Sequence, residues 1–166
     1  MDDPVAMDVV GVRIELPTNT PILLLREKDG RRFLPIWIGT NEATAIALAL
    51  EGVEPQRPMT HDLLKMVTES LGAMIDRVVV TDLREGTFFA DIVLTRNGEE
   101  VIVSSRPSDA VALAARTNSP VFAARAVLDE GGVEVRDEDQ EEEIDRFREF
   151  LEEVTPEDFI SGTSDS

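Results

Sequence analysis

The sequence predicts an α+β domain, one mixed or antiparallel β-sheet packed with about three helices, followed by an acidic C-terminal amphipathic helix. Three observations predict it. Apolar residues alternate or run together in short segments punctuated by Asp29-Gly30 and Asn97-Gly98, pairs that favour tight hairpins and hence antiparallel pairing. Three other segments carry apolar residues at helical spacing, each opened by hydroxyl, asparagine or proline residues. From Asp129 onward the composition changes: 16 acidic and 3 basic residues, against 18 acidic and 13 basic before it. The 166 residues therefore divide into a domain over 1–128, long enough to bury a core, and an acidic tail over 129–166.

Val10, Val12, Ile14 and Leu16 alternate with Gly11, Arg13 and Glu15, the period of a strand with one buried face. After the break at 17–21, Ile22 to Leu25 form a continuous apolar run, as in a strand covered on both faces. Beyond Asp29-Gly30 the return strand spans 33–38, where Pro35 marks an edge, a bulge or an interrupted ladder. Trp37 reads as core. Thr40 or Asn41 then caps a helix carrying Ala43, Ile46, Ala47 and Leu50, which places Glu42 at its start and Gly52 at its end.

A second helix spans 60–71. A three-strand meander follows over 74–83, 87–95 and 99–104, turned by Glu85-Gly86 and Asn97-Gly98. Pro107 suits the first turn of a third helix containing Ala110, Leu113 and Ala114, and Val121-Phe122 makes a last short strand. In the tail, acidic residues 137–143 precede Ile144, Phe147, Leu151 and Val154 at three- and four-residue steps, an amphipathic helix.

Composition excludes several chemistries. With no cysteine there is no disulfide framework, thiolate nucleophile or cysteine-zinc site. No GxGxxG, Walker, HExxH or GxSxG pattern occurs, so no nucleotide-cofactor motif is present. The acidic start and the lack of a long apolar run lead us to expect a cytoplasmic protein with no membrane partner. The net charge of -18 opposes nucleic-acid binding, but it is concentrated in the tail.

Two corners hold the capable side chains. Arg57-Pro58-Met59-Thr60-His61-Asp62 and Arg106-Pro107-Ser108-Asp109 both run arginine, proline, a hydroxyl residue and aspartate into a helix. Thr60, Asp62, Ser108 and Asp109 are what ordinary capping requires, so for them structure outweighs catalysis. His61, the sole histidine, gains nothing as a cation at a helix start, which leaves it neutral and able to take a proton or bind a metal, or an exposed spectator. Arg57 and Arg106 either pair with Asp109 and Asp62 across the corners or converge on a phosphate. Any metal site here would use His61 with carboxylates, or magnesium or manganese on carboxylates and water.

Leu34-Pro35-Ile36-Trp37-Ile38-Gly39, Glu42-Ala43, Arg57-Pro58 with Thr60-His61-Asp62-Leu63-Leu64, Thr87-Phe88-Phe89-Ala90 and Arg106-Pro107-Ser108-Asp109-Ala110 together resemble the bifunctional nuclease domain family over about residues 7–128. The resemblance implies a mixed α and β domain that self-associates and degrades both DNA and RNA. It carries over to Glu42, Arg57, His61, Asp62, Arg106, Ser108 and Asp109. Where the family often has aspartate, this chain has Ser104.

The expected function is a nuclease hydrolysing phosphodiester bonds in DNA and RNA with little sequence preference, assembled as a homodimer or higher homo-oligomer. In it His61, Asp62, Asp109 and Glu42 are catalytic, Arg57, Arg106 and Ser108 bind substrate, and a divalent metal such as magnesium or manganese assists. The competing expectation is a non-catalytic regulatory module that holds a small ligand and docks a partner through the acidic helix.

Overall fold

The computed structural model describes residues 3–134, so the amphipathic helix expected in the tail lies outside the described residues. Strands β1 (Val5–Glu15), β2 (Thr20–Glu27) and β3 (Arg32–Trp37) are followed by helices α1 (Thr40–Leu50) and α2 (Thr60–Ser70). The meander β4 (Ala73–Arg84), β5 (Thr87–Arg96) and β6 (Glu99–Ser105) leads into α3 (Pro107–Thr117). Then come β7 (Val121–Ala123), α4 (Arg125–Gly131) and β8 (Val133–Glu134).

The strands form one sheet in the order β6-β5-β4-β7-β1-β2-β3-β8. It is mixed because of β7 alone. Val121–Ala123 runs parallel to Val78–Val80 of β4 and antiparallel to Val5–Met7 of β1, joining the two meanders. The β4–β5 and β5–β6 turns hold Glu85-Gly86 and Asn97-Gly98 with positive φ throughout, the conformation that makes these pairs hairpin signals. Gly11, at φ 148, sits where the β1–β2 register slips between Val9 and Gly11, a backbone shape that a side chain would strain.

Helix α3 is the centre of the helical layer. Ala110 to Ala114 are all buried, and the alanines of α1 (Ala43, Ala45, Ala47) let the two helices pack closely over the core of Val12, Leu23, Leu25, Leu34, Val78 and Val80. Helix α2 packs on α3 and on the start of β4 but buries only His61, leaving Leu63, Leu64, Met66, Val67 and Leu71 exposed.

Several expectations shift. β1 begins at Val5 because its first residues pair with β7, a partner too distant in sequence to foresee. Trp37 is 57% exposed rather than core, since the chain leaves the sheet there and the short β8 reaches only Arg32 and Phe33. Pro35 lies on β3 beyond that reach, which fits its missing N–H. The division drawn after Leu128 passes through α4, where Val127 and Leu128 are buried, and regular structure continues to Glu134. No helix among the described residues is long and apolar enough to cross a membrane.

Candidate active site

Three helix starts meet around one cleft of about 430 Å³, lined by Glu42, Thr44, Met59, His61, Arg106 and Asp109 among others. The N-caps are Gly39, Met59 and Arg106, none with a side-chain cap bond, so Thr40, Asn41, Thr60 and Ser108 do not cap as the sequence suggests. Each helix instead has a carboxylate at its third residue: Glu42, Asp62 and Asp109. The free N–H groups and the dipole at a helix start favour negative charge there.

Asp109 is the hub. Its Oδ1 lies 2.9 Å from His61 Nε2, and its Oδ2 accepts from Arg106 Nε at 2.9 Å and Nη2 at 2.8 Å. Arg106 Nη2 also donates to Glu42 Oε1 at 3.1 Å, so one guanidinium spans two carboxylates from different helices. A carboxylate only accepts, so His61 carries its proton on Nε2 and keeps the Nδ1 lone pair for other work. The ring is nearly buried, whereas the Arg106 side chain is 64% exposed. Its hydrogen bonds to Asp109, the charge of that carboxylate, and then the Glu42 contact hold the Arg106 pKa above its ordinary value.

Gly39 makes room for this arrangement. A Cβ there would collide with the Glu42 carboxylate, which folds back over the N-cap.

Asp62 belongs to a separate pair. It accepts the Met59 N–H at Oδ2 (2.9 Å) and Arg116 Nε at Oδ1 (2.7 Å), and the Arg116 side chain is 8% exposed. Burial pushes the Asp62 pKa up, but the hydrogen bonds from Arg116 and Met59 outweigh it and the net direction is down. Arg116 also donates to the Ala112 carbonyl of its own helix, so its bond to Asp62 ties α2 to α3. Arg57 is exposed and lines neither this cleft nor its neighbour, Ser108 is buried against the neighbouring cleft, and Ser104 is exposed on β6 opposite Asp91. The structure thus joins Glu42, His61, Arg106 and Asp109 and leaves Arg57, Asp62 and Ser108 outside that network.

Sequence reasoning missed Arg116 and Gly39. Seven residues after Asp109, Arg116 returns to the same face of α3, and that spacing is the signal that would have found it. Among the described residues no group of three or more histidine, aspartate or glutamate side chains is placed to hold a metal, and the two carboxylates nearest His61 are spanned by Arg106. This donor set does not fit a protein-built cage for magnesium or manganese.

A mixed sheet with this helix-start cluster belongs to a known class, since residues 23–136 match the model of the bifunctional nuclease domain, and the chain is a member of that family. It is 49% identical over 159 residues to the uncharacterized protein Rv1829 of Mycobacterium tuberculosis, a match covering 91% of this chain and 95% of that one. Plant proteins named bifunctional nuclease are more distant. Bifunctional nuclease 1 of Oryza sativa subsp. indica is 25% identical over 130 residues, and bifunctional nuclease 2 of Arabidopsis thaliana is 27% identical over 128. Each plant match covers about three quarters of this chain but 39% of the plant protein.

Proposed function

We propose that the chain hydrolyses phosphodiester bonds in DNA and RNA with little sequence preference, acting in the cytoplasm. The observation that carries this reading is the His61–Asp109–Arg106 chain: a histidine whose tautomer is fixed by a carboxylate that also holds an exposed guanidinium. In the mechanism, Arg106 meets the phosphate and the charge that grows on it. His61 Nδ1 takes a proton from water as its oxygen bonds to phosphorus. The P–O bond opposite breaks, and the same proton is returned to the leaving oxygen. Asp109 orients the ring and stabilises its protonated form, and Glu42 holds the guanidinium. Asp62 supports the start of α2.

The test compares His61→Gln and Arg106→Lys with the parent on RNA and DNA oligonucleotides, with EDTA present and absent. Gln removes the titratable ring, and Lys keeps charge but removes the fork. The reading predicts melting near the parent and turnover down by about a hundredfold for His61→Gln. Parent-like turnover in both variants would contradict it.

A second reading, a binding module without turnover, is favoured by the apolar face of α2. The same face, with the exposed Val101, Ile102 and Val103 of edge strand β6, supports self-association as part of the proposal.

A further inference from the structure

Arg106 lines a second cleft as well. It measures about 300 Å³ and is formed by Trp37 at the end of β3 and Gly39 beyond it, Gly86 in the β4–β5 turn and Phe88 at the start of β5, and Arg106 and Ser108 at the start of α3. A pocket of this size is at the lower end of those that hold small ligands. Trp37 is 57% exposed there, although an indole is among the side chains that gain most from burial. Its Nε1–H donates to Glu15 Oε2 at 3.1 Å, which ties the ring to the end of β1. Gly86 leaves its stretch of the wall open, with nothing near the place a side chain would occupy, the condition for a flat group to approach backbone.

We propose that this cleft is a nucleobase subsite, in which the base next to the phosphate at Arg106 stacks on the Trp37 indole, and that the substrate is therefore single-stranded polynucleotide. The inference rests on the hydrolytic reading for the phosphate at Arg106 and adds what lies beside it. An aromatic face and a guanidinium sharing one cleft match the repeat of a single strand, where every phosphate is flanked by a flat base. A duplex keeps its bases stacked inside and offers none without unstacking. Stacking also answers the charge problem. A chain of net charge -18 has little basic surface with which to hold a backbone, whereas a base face binds an aromatic ring whatever the sequence.

The chain has one tryptophan and no tyrosine, so its intrinsic indole fluorescence reports Trp37 alone. Full-length protein carrying His61→Gln, which spares the ligand, is titrated with oligothymidylate, with a duplex of equal length and with an abasic strand. Trp37→Phe and Trp37→Leu are followed by anisotropy of labelled oligothymidylate. The proposal expects saturable quenching by the single strand, and binding about tenfold weaker for the duplex, the abasic strand and Trp37→Leu, with Trp37→Phe largely restored. Equal binding of the abasic strand, an unchanged Trp37→Leu, or no single-strand binding at all would overturn it. The two readings fail separately: quenching with no turnover by the parent removes the hydrolytic reading, and turnover without quenching removes the subsite.

Discussion

At residue scale, the two aspartates that look alike in sequence do different work. Asp109 has its oxygens turned toward His61 and Arg106 at the cleft, whereas Asp62 is enclosed by Arg116 and a backbone N–H. Because the Asp62 pKa is lowered on folding, its contribution to stability is present above the ordinary aspartate value and is lost as pH falls through the lower folded-state value. Replacing Arg116 with Met should cost about 1–2 kcal/mol at neutral pH by leaving a partly buried carboxylate without its donor. The difference from the parent should shrink in acid below the ordinary aspartate range, and urea melts across pH check it; a constant difference would show that Arg116 acts through packing alone. The corners themselves were legible because Arg-Pro followed by an acid marks a helix start. Which arginine serves which acid was not, because the Asp62–Arg116 pair joins residues 54 apart through packing of α2 on α3.

At the scale of elements, local chemistry made most of the fold readable. Glu-Gly and Asn-Gly turns, alternating strands and glycine stops placed β2 to β6 and α1 to α3, whereas Asp29-Gly30 lies in a four-residue connection between Glu27 and Arg32 and adopts no positive φ. The misses have a common physical cause. The first part of β1, α4 and β8 are defined by partners elsewhere in the chain, and α4 with β8 is too short to show a period. Trp37 was misplaced because hydrophobicity alone does not reveal that β8 stops short of it. Leu128, 1% exposed on α4, measures whether this last segment belongs to the domain. Leu128→Ala should lower unfolding free energy by about 2–5 kcal/mol in denaturant titration. A loss under about 0.5 kcal/mol, as for a surface position, would place α4 outside the cooperative unit.

At the scale of the molecule, charge and self-association are the open levers. Residues 135–166 carry 13 acidic and 3 basic side chains, a net of -10, a sign that repels polyanions. A chain ending at Glu134 should bind single-stranded polynucleotide more tightly than the full chain, with the gain shrinking as salt rises. If the proposed self-association uses the apolar surfaces of α2 and β6, this shorter chain should sediment as a dimer like the full chain. Unchanged affinity would remove the electrostatic role of the tail, and a monomer at micromolar concentration would move the interface into it.

In the proposed mechanism His61 and Asp109 work as one unit on a phosphodiester. A double-mutant cycle tests it most directly, with turnover of an RNA and a DNA oligonucleotide measured for the parent, His61→Gln, Asp109→Asn and the double variant. Groups that act together are strongly non-additive, so the double variant should be no slower than the slower single variant. Losses that multiply, or a parent without turnover, would contradict the account.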